Sequence, residues 1–261
     1  MKIKEITDAI ERFAPLHLQE SYDNSGVQVG DVNEEVSGVL LCIDITEEVI
    51  DEALQKGCNL IISHHPLIFR GIKKIEPTNY ISRCIIKAIE HRITLYSSHT
   101  NMDKAPQGVS YQTATRLGIN VEKMLSPEEG NEQYGLGVVG ELSEAMDADM
   151  YLARVKEIVG IGSIRHTDTA GRKVKRIALC GGAGHEFLPL AKKAKADLYL
   201  TADLKYHEFF ETEGEIILAD FGHFESEQFT KEIFFEIVSK INPTFADIYL
   251  SDSKTNPINY I

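Results

Sequence analysis

No stretch of this chain approaches the roughly 18 consecutive apolar residues that a membrane-spanning helix needs, so no span is expected. The opening Met1-Lys2-Ile3-Lys4-Glu5-Ile6-Thr7-Asp8 has no apolar core and carries acids too early for a secretory signal. Cysteine is sparse. Cys42, Cys58, Cys84 and Cys180 lie far apart and form no CxxC pair, which reads as buried free thiols in a reducing compartment. Positive charge is also short: 27 Lys and Arg face 40 Asp and Glu, a formal net charge of −13 at pH 7. A surface that acidic repels phosphate backbones and argues against general nucleic-acid binding, while leaving room for a local pocket for one nucleotide. A Walker loop is absent as well. Gly181-Gly182-Ala183-Gly184 has neither the following lysine nor the GxGxxG spacing, so a dinucleotide fingerprint is not supported. These absences predict a cytoplasmic protein with no membrane partner.

What is present is an ordinary globular composition, 43% hydrophobic and 26% charged over 261 residues, enough for one large or two ordinary domains. Val39-Leu40-Leu41-Cys42-Ile43 is a continuous apolar run, as expected of a strand covered on both faces. Thr46 then offers an N-cap, and Val49, Ile50, Ala53 and Leu54 keep helical spacing. Leu60-Ile61-Ile62 is the next strand, the stripe Ile81, Cys84, Ile85, Ala88, Ile89 a second helix, and Ile93 to Tyr96 a third strand. This β-α-β-α-β order implies parallel pairing with right-handed crossovers.

The plan returns later in the chain. Ile177-Ala178-Leu179-Cys180 reads as a strand, residues 181–184 as a tight turn and Leu188 to Ala196 as a helix. Strands at Leu198-Tyr199-Leu200 and Ile216-Ile217-Leu218 follow, with a helix from Tyr206 to about Glu211 between them. Between the two halves, 126–132 reads as a polar exposed connection, Gly137 to Gly140 as a strand and Met150 to Val159 as a helix. The predicted fold class is α/β. It comprises two related α/β units with mostly parallel buried strands, residues 1–125 and 175–261, and a small α/β insertion at 126–174.

In open parallel sheets, functional residues gather beyond the carboxyl ends of the strands. Three such places carry histidines or carboxylates: Ser63-His64-His65-Pro66, Ser98-His99-Thr100-Asn101-Met102-Asp103, and Asp220-Phe221-Gly222-His223-Phe224-Glu225-Ser226-Glu227. A lone histidine at a strand end is more often a satisfied surface or core residue, and an HxxxE pair is more often a solvated helix face. A His-His pair after a buried apolar strand is harder to dismiss, because two polar rings there need partners. Imidazoles with carboxylates suit zinc, iron, manganese or cobalt rather than a pure calcium or magnesium site. Adjacent histidines splay, so they suit two ions roughly 3.5–4 Å apart, with carboxylates able to bridge them.

Tyr22-Asp23-Asn24-Ser25-Gly26-Val27-Gln28-Val29-Gly30, Ile61-Ile62-Ser63-His64-His65-Pro66-Leu67-Ile68-Phe69 and Ser98-His99-Thr100-Asn101-Met102-Asp103 occur in an ordered set. The set continues with Cys180-Gly181-Gly182-Ala183-Gly184, then 197–207, then Gly222-His223-Phe224-Glu225-Ser226-Glu227. It resembles the Nif-three-like family, whose members carry the name GTP cyclohydrolase 1 type 2 homologue. The resemblance implies a Nif-three-like fold and two divalent metal ions per chain (zinc, iron or manganese) on His64, His65, Asp103, His223 and Glu227. It also implies a homohexamer built as a trimer of dimers and a small-molecule substrate, with a nucleotide as the candidate. Tyr22 stands where the family usually has tryptophan, and Ala202 where it usually has glycine. The chain has no room for the long inserted domain that some members carry.

Two functions stay open at this stage. A metal-dependent hydrolase would act as the family name implies, opening the guanine ring of GTP at C8 with release of formate. His99 is then the candidate proton carrier, with Glu225 beside it, and Lys205 and His207 either receive phosphates or form a solvated helix start. The alternative is a non-catalytic metal-binding, partner-interaction or regulatory protein.

Overall fold

Five predicted strands are short, mostly apolar runs. In the computed structural model, which describes residues 1–241 and 247–261, every residue of those five strands is buried. The chain runs through α1 (Ile3–Phe13), β1 (Gly26–Val29), β2 (Val39–Cys42), α2 (Glu47–Gln55), β3 (Leu60–Ser63), α3 (Tyr80–Glu90), β4 (Thr94–Ser97) and α4 (Thr100–Lys104). It continues through α5 (Val109–Arg116), β5 (Ile119–Glu128), β6 (Asn131–Asp147), α6 (Ala148–Val159), β7 (Arg165–His166) and β8 (Lys173–Ala183). There follow α7 (Leu188–Lys193), β9 (Leu198–Ala202), β10 (Ile217–Asp220), α8 (His223–Glu227), α9 (Thr230–Ile241) and β11 (Ile248–Leu250).

The chain divides into two units, Met1–Met102 with Thr230–Asn256, and Asp103–Phe229 with Pro257–Ile261. This differs from the expected cuts near 125 and 174. The segment 126–174 is no separate insertion: β5 and β6 pair as a long antiparallel hairpin that continues into β8 of the second sheet. Polar residues in the 126–132 stretch hid a hairpin whose outer positions face solvent, a pattern that antiparallel strands tolerate.

In the first unit the sheet order is β1-β4-β3-β2-β11, with β4, β3, β2 and β11 parallel and β1 antiparallel at the edge. Thr46 caps α2 by accepting a hydrogen bond from the Val49 amide, and Glu47 and Glu48 sit in the first turn, where the helix dipole favours acids. Val49 and Ile50 of α2 and Cys84 and Ile85 of α3 pack with Leu40, Ile61 and Leu95 into one core.

The second unit's sheet order is β5-β6-β8-β9-β10-β7, parallel only across β8, β9 and β10. Alternate residues of these strands feed two cores. Ile177, Leu198, Leu200 and Ile217 pack with Tyr151 and Val155 of α6, while Ala178, Tyr199 and Leu218 pack with Leu188 and Ala191 of α7. Burial on both faces explains these mostly apolar runs.

One local expectation changes: residues 181–183 extend β8 through a register shift instead of forming a tight turn. The helix expected from Tyr206 forms as a 3-10 helix, Tyr206–Thr212. The four cysteines are buried and unoxidised, and burial pushes the Cys58 and Cys84 thiols up to about 11. Among the described residues no helix is long and apolar enough to cross a membrane.

Candidate metal centre

Each unit presents its chemistry at the carboxyl ends of its parallel strands. In the first unit β2, β3 and β4 lie side by side, with Cys42 opposite Ser63 and Ser63 opposite Ser97. The residues that follow, Asp44, His64-His65 and Ser98-His99, therefore leave the sheet at one edge. The His-His pair is fixed by its main chain. The amides of His64 and His65 donate to the carbonyls of Cys42 (3.3 Å) and Ile43 (2.9 Å), and Ser63 Oγ donates to the His65 carbonyl at 2.7 Å. The two rings stand 4.9 Å apart between centroids and are tilted by 43°.

The side-chain partners are more telling than the pair itself. His64 Nδ1 meets the Ser98 carbonyl at 3.0 Å, and His65 Nδ1 meets Asp44 Oδ1 at 2.7 Å. His99 Nδ1 meets Asp23 Oδ1 at 2.8 Å. A carbonyl or carboxylate oxygen only accepts, so each Nδ1 must carry the proton and Nε2 becomes the ligand nitrogen. This outer hydrogen bond to oxygen is how proteins orient metal-binding histidines.

Asp23 is buried beneath His99 and also accepts from the amides of Asn24 (2.7 Å) and Thr100 (3.0 Å). Burial raises its pKa, but the His99 hydrogen bond and charge, with Thr100 and Asn24, hold the carboxyl well below the usual range. Asp44 behaves alike: burial opposes ionisation, and His65 and Thr255 outweigh it. Phe69 sits edge-on to His99 at 6.0 Å, with Tyr22 at 6.3 Å from Phe69, so one side of the cluster is aromatic.

The second unit repeats the device. Asp203 follows β9 and His223 follows β10, and those strands are parallel neighbours in register at Thr201 and Asp220. His223 Nδ1 meets Asp203 Oδ2 at 2.8 Å, and its Nε2 lies 3.3 Å from Glu227 Oε2, one turn along α8. Burial would lower the imidazolium pKa. The charge and hydrogen bond of Glu227 and those of Asp203 override that and push it up to about 11. A proton held so firmly between two carboxylates marks a place built for positive charge, and binding a cation at Nε2 would displace it.

The backbone is shaped for this. Asp203 adopts φ +57°, a left-handed conformation uncommon outside glycine. Gly182, at φ +64°, has no room for a side chain: a Cβ there would lie 2.3 Å from Glu227 Oε1. Gly222, at φ +85°, would collide with Glu225 in the same way.

The structure brings His64 and His65 together with His99, their ligand atoms within 4.8 Å of one another. It pairs His223 with Glu227, and it sets Asp103, in α4, and Glu227 around the buried Cys180 thiol. Burial pushes that thiol up, and the two carboxylate charges push it further. The strand ends expected on one rim belong to two sheets, β3 and β4 to the first and β10 to the second. Glu225 is buried, whereas Lys205 and His207 are exposed, and Lys205 caps its helix beside Glu208, as a solvated helix start would. The donor chemistry therefore fits a transition-metal centre: imidazoles with fixed tautomers, and carboxylates to offset charge.

Sequence reasoning missed Asp44, Asp203 and Asp23. The first two follow parallel strands, and the rule that found the histidines reaches them once β2 and β9 are searched too. Asp23 lies in a loop before β1 and carries no such signal.

The chain matches the Duf34/NIF3 family, NGG1p interacting factor 3, over residues 1–257. It is 35% identical over 229 residues to a "GTP cyclohydrolase 1 type 2 homolog" of Clostridium acetobutylicum, covering 87% of this chain and 85% of that protein. A protein of the same name from Lactococcus lactis is 33% identical over 264 residues, covering 98% of each. A Staphylococcus aureus relative aligns over 371 residues at 27% identity, far more than the 261 here, in line with a long insertion that this chain lacks. Among solved structures, a Staphylococcus aureus hypothetical protein superposes with a TM-score of 0.93 at 30% identity, covering 100% of this chain and 99% of that one. A Bacillus cereus protein related to NIF3 gives 0.91 at 25% identity with the same coverage.

Proposed function

We propose, from the premise that this chain belongs to the Duf34/NIF3 family, that it is a dinuclear metal-dependent hydrolase of the GTP cyclohydrolase 1 type 2 kind. The observation that carries the reading is the shared device at His64, His65, His99 and His223, each Nδ1 bound to an oxygen acceptor. The proposed ligands are His64, His65, Asp103, His223 and Glu227, holding two ions of zinc, iron or manganese. Bound there, the ions would supply Lewis acidity toward water and substrate. Asp44 and Asp203 orient His65 and His223 and add negative charge behind them. His99, backed by Asp23, moves a proton at Nε2 during hydrolysis at guanine C8 with release of formate. The aromatic side of the cluster, Phe69 and Tyr22, offers a flat apolar surface to a base.

The family resemblance further supports a homohexamer in the cytoplasm, and light scattering at micromolar concentration tests the assembly. For the activity, metal-loaded protein is assayed with GTP and a panel of phosphoesters. Formate release that His99→Ala abolishes is the expected result. Tight nucleotide binding with no turnover of any substrate would instead assign a non-catalytic, partner-directed role, the reading that the family's printed name as an interacting factor favours.

A further inference from the structure

Within the second unit, and outside the residues of the metal centre, the β5–β6 hairpin and helix α7 enclose a cleft of about 360 Å³. It arises from a mismatch of lengths. α7 has six residues, about 9 Å of helix, and cannot cover strands of 10 and 17 residues. Leu188 and Ala191 of α7 close the core against Tyr199 and Leu218. Leu190 stays half-buried and, with Leu125 and Val139, gives the cleft an apolar wall.

Two cations stand on this apolar surface. Side chains alternate along β5, so Lys123 shares a face with Leu125, and it pairs in register with the fully buried Val139. A bulge between Val121 and Lys123 sets that register. Lys193 ends α7 and lines the same cleft. Neighbouring cations are neutralised: Lys175 meets Glu141, Arg176 meets Glu122 and Glu141, and Lys192 meets Glu213 and Glu215. Lys123 and Lys193 have no ion-pair partner among the described residues, in a chain of net charge −13. Glu132 also lines the cleft and pairs with neither lysine.

We propose that this cleft binds an apolar monocarboxylate, aliphatic or aromatic, its head held by Lys123 and Lys193 and its body on Leu125, Val139 and Leu190. The volume lies within the range of small-molecule sites, roughly 300–1,000 Å³. Lysine stems extend an apolar wall while their ammonium groups stay at the mouth, which suits a ligand apolar at one end and anionic at the other. Glu132 repels a second negative charge, so a dicarboxylate binds less well. The site uses no residue of the metal centre and stands independently of the hydrolase reading.

Calorimetric titration of the full chain with octanoate and with 2-naphthoate tests it, with octanol and octanedioate as controls. One equivalent of at least one monocarboxylate should bind saturably and raise the Tm, and both controls should bind more weakly. Octanoate alone would assign an aliphatic ligand, 2-naphthoate alone an aromatic one. Lys123→Met/Lys193→Met keeps the apolar stems and removes both charges. Both lysines are exposed, so the variant should keep the Tm of the unliganded chain while binding about 10-fold or more weakly. Chelator-treated protein should bind as well as untreated protein, because the cleft needs no metal. Absence of saturable binding by either carboxylate, octanol as tight as octanoate, affinity unchanged in the lysine variant, or binding lost with the metal overturns the proposal.

Discussion

Replacing Asp44 by Asn separates the orientation of a ligand from the ligand itself. Asp44 Oδ1 accepts from His65 Nδ1 at 2.7 Å, and Oδ2 accepts from Thr255 Oγ1 at 2.9 Å. An amide oxygen can still meet Nδ1, but it brings no charge, so the imidazole becomes a weaker base and its ring is held less firmly. Losing a partner of this kind costs about 10–100-fold in metal affinity, or about 1.4–2.7 kcal/mol. The Thr255 bond is a separate quantity. Thr255→Val deletes that bond alone and should cost about 1 kcal/mol of fold stability with metal affinity unchanged. The assay is calorimetric titration with zinc against a competing chelator, paired with urea unfolding of each metal-depleted variant. Unchanged zinc affinity in Asp44→Asn, or an equal loss in Thr255→Val, would refute the reasoning.

Glu52 gathers Lys56 Nζ, the Ser251 and Ser253 hydroxyls and the amides of Asp252 and Ser253, tying 251–253 to α2 within the first unit. Burial raises its pKa, but those donors together lower it from 4.5 to about 2, so its stabilisation is full above pH 4.5 and fades as the pH falls toward 2. Glu52→Gln should therefore destabilise by about 1.5–3 kcal/mol near neutrality, with the gap to the unaltered chain closing in acid, as urea unfolding across pH would register. Gly182→Ala places a methyl at φ +64° against the Glu227 carboxylate. It should weaken metal binding by displacing Glu227 while costing only about 1–2 kcal/mol of stability for the left-handed backbone; intact metal content would sink that account.

Much of this was legible because buried parallel strands write themselves as apolar runs, and the residues after them are the ones that leave the sheet. Val39 to Cys42, Leu60 to Ser63, Leu198 to Ala202 and Ile217 to Leu218 are read directly, with His64-His65 following the second of these runs and His223 the last. The hairpin of β5 and β6 was not legible, since its tip, with Pro127, Asn131, Glu132 and Gln133 exposed, is polar and reads as loop. Nor was the division of the chain, because α9 and β11 return to the first unit by a pairing, β11 on β2, that no local pattern announces. Asp23 and Asp203 escaped for a related reason: an aspartate that serves a histidine 76 or 20 residues away looks locally like a turn residue.

The central claim is that five side chains hold two ions, and metal content tests it most directly. Elemental analysis of protein purified without chelator, then reloaded with zinc or manganese, should give about two equivalents per folded chain. On the proposed reading Asp103 and Glu227 would offset the charge of both ions, so Asp103→Ala or Glu227→Ala should empty both positions, whereas His64→Ala, His65→Ala or His223→Ala should weaken one position more than the other. Two full equivalents in folded Asp103→Ala or Glu227→Ala, or a reproducible value near zero in the unaltered chain after reloading, would contradict the account.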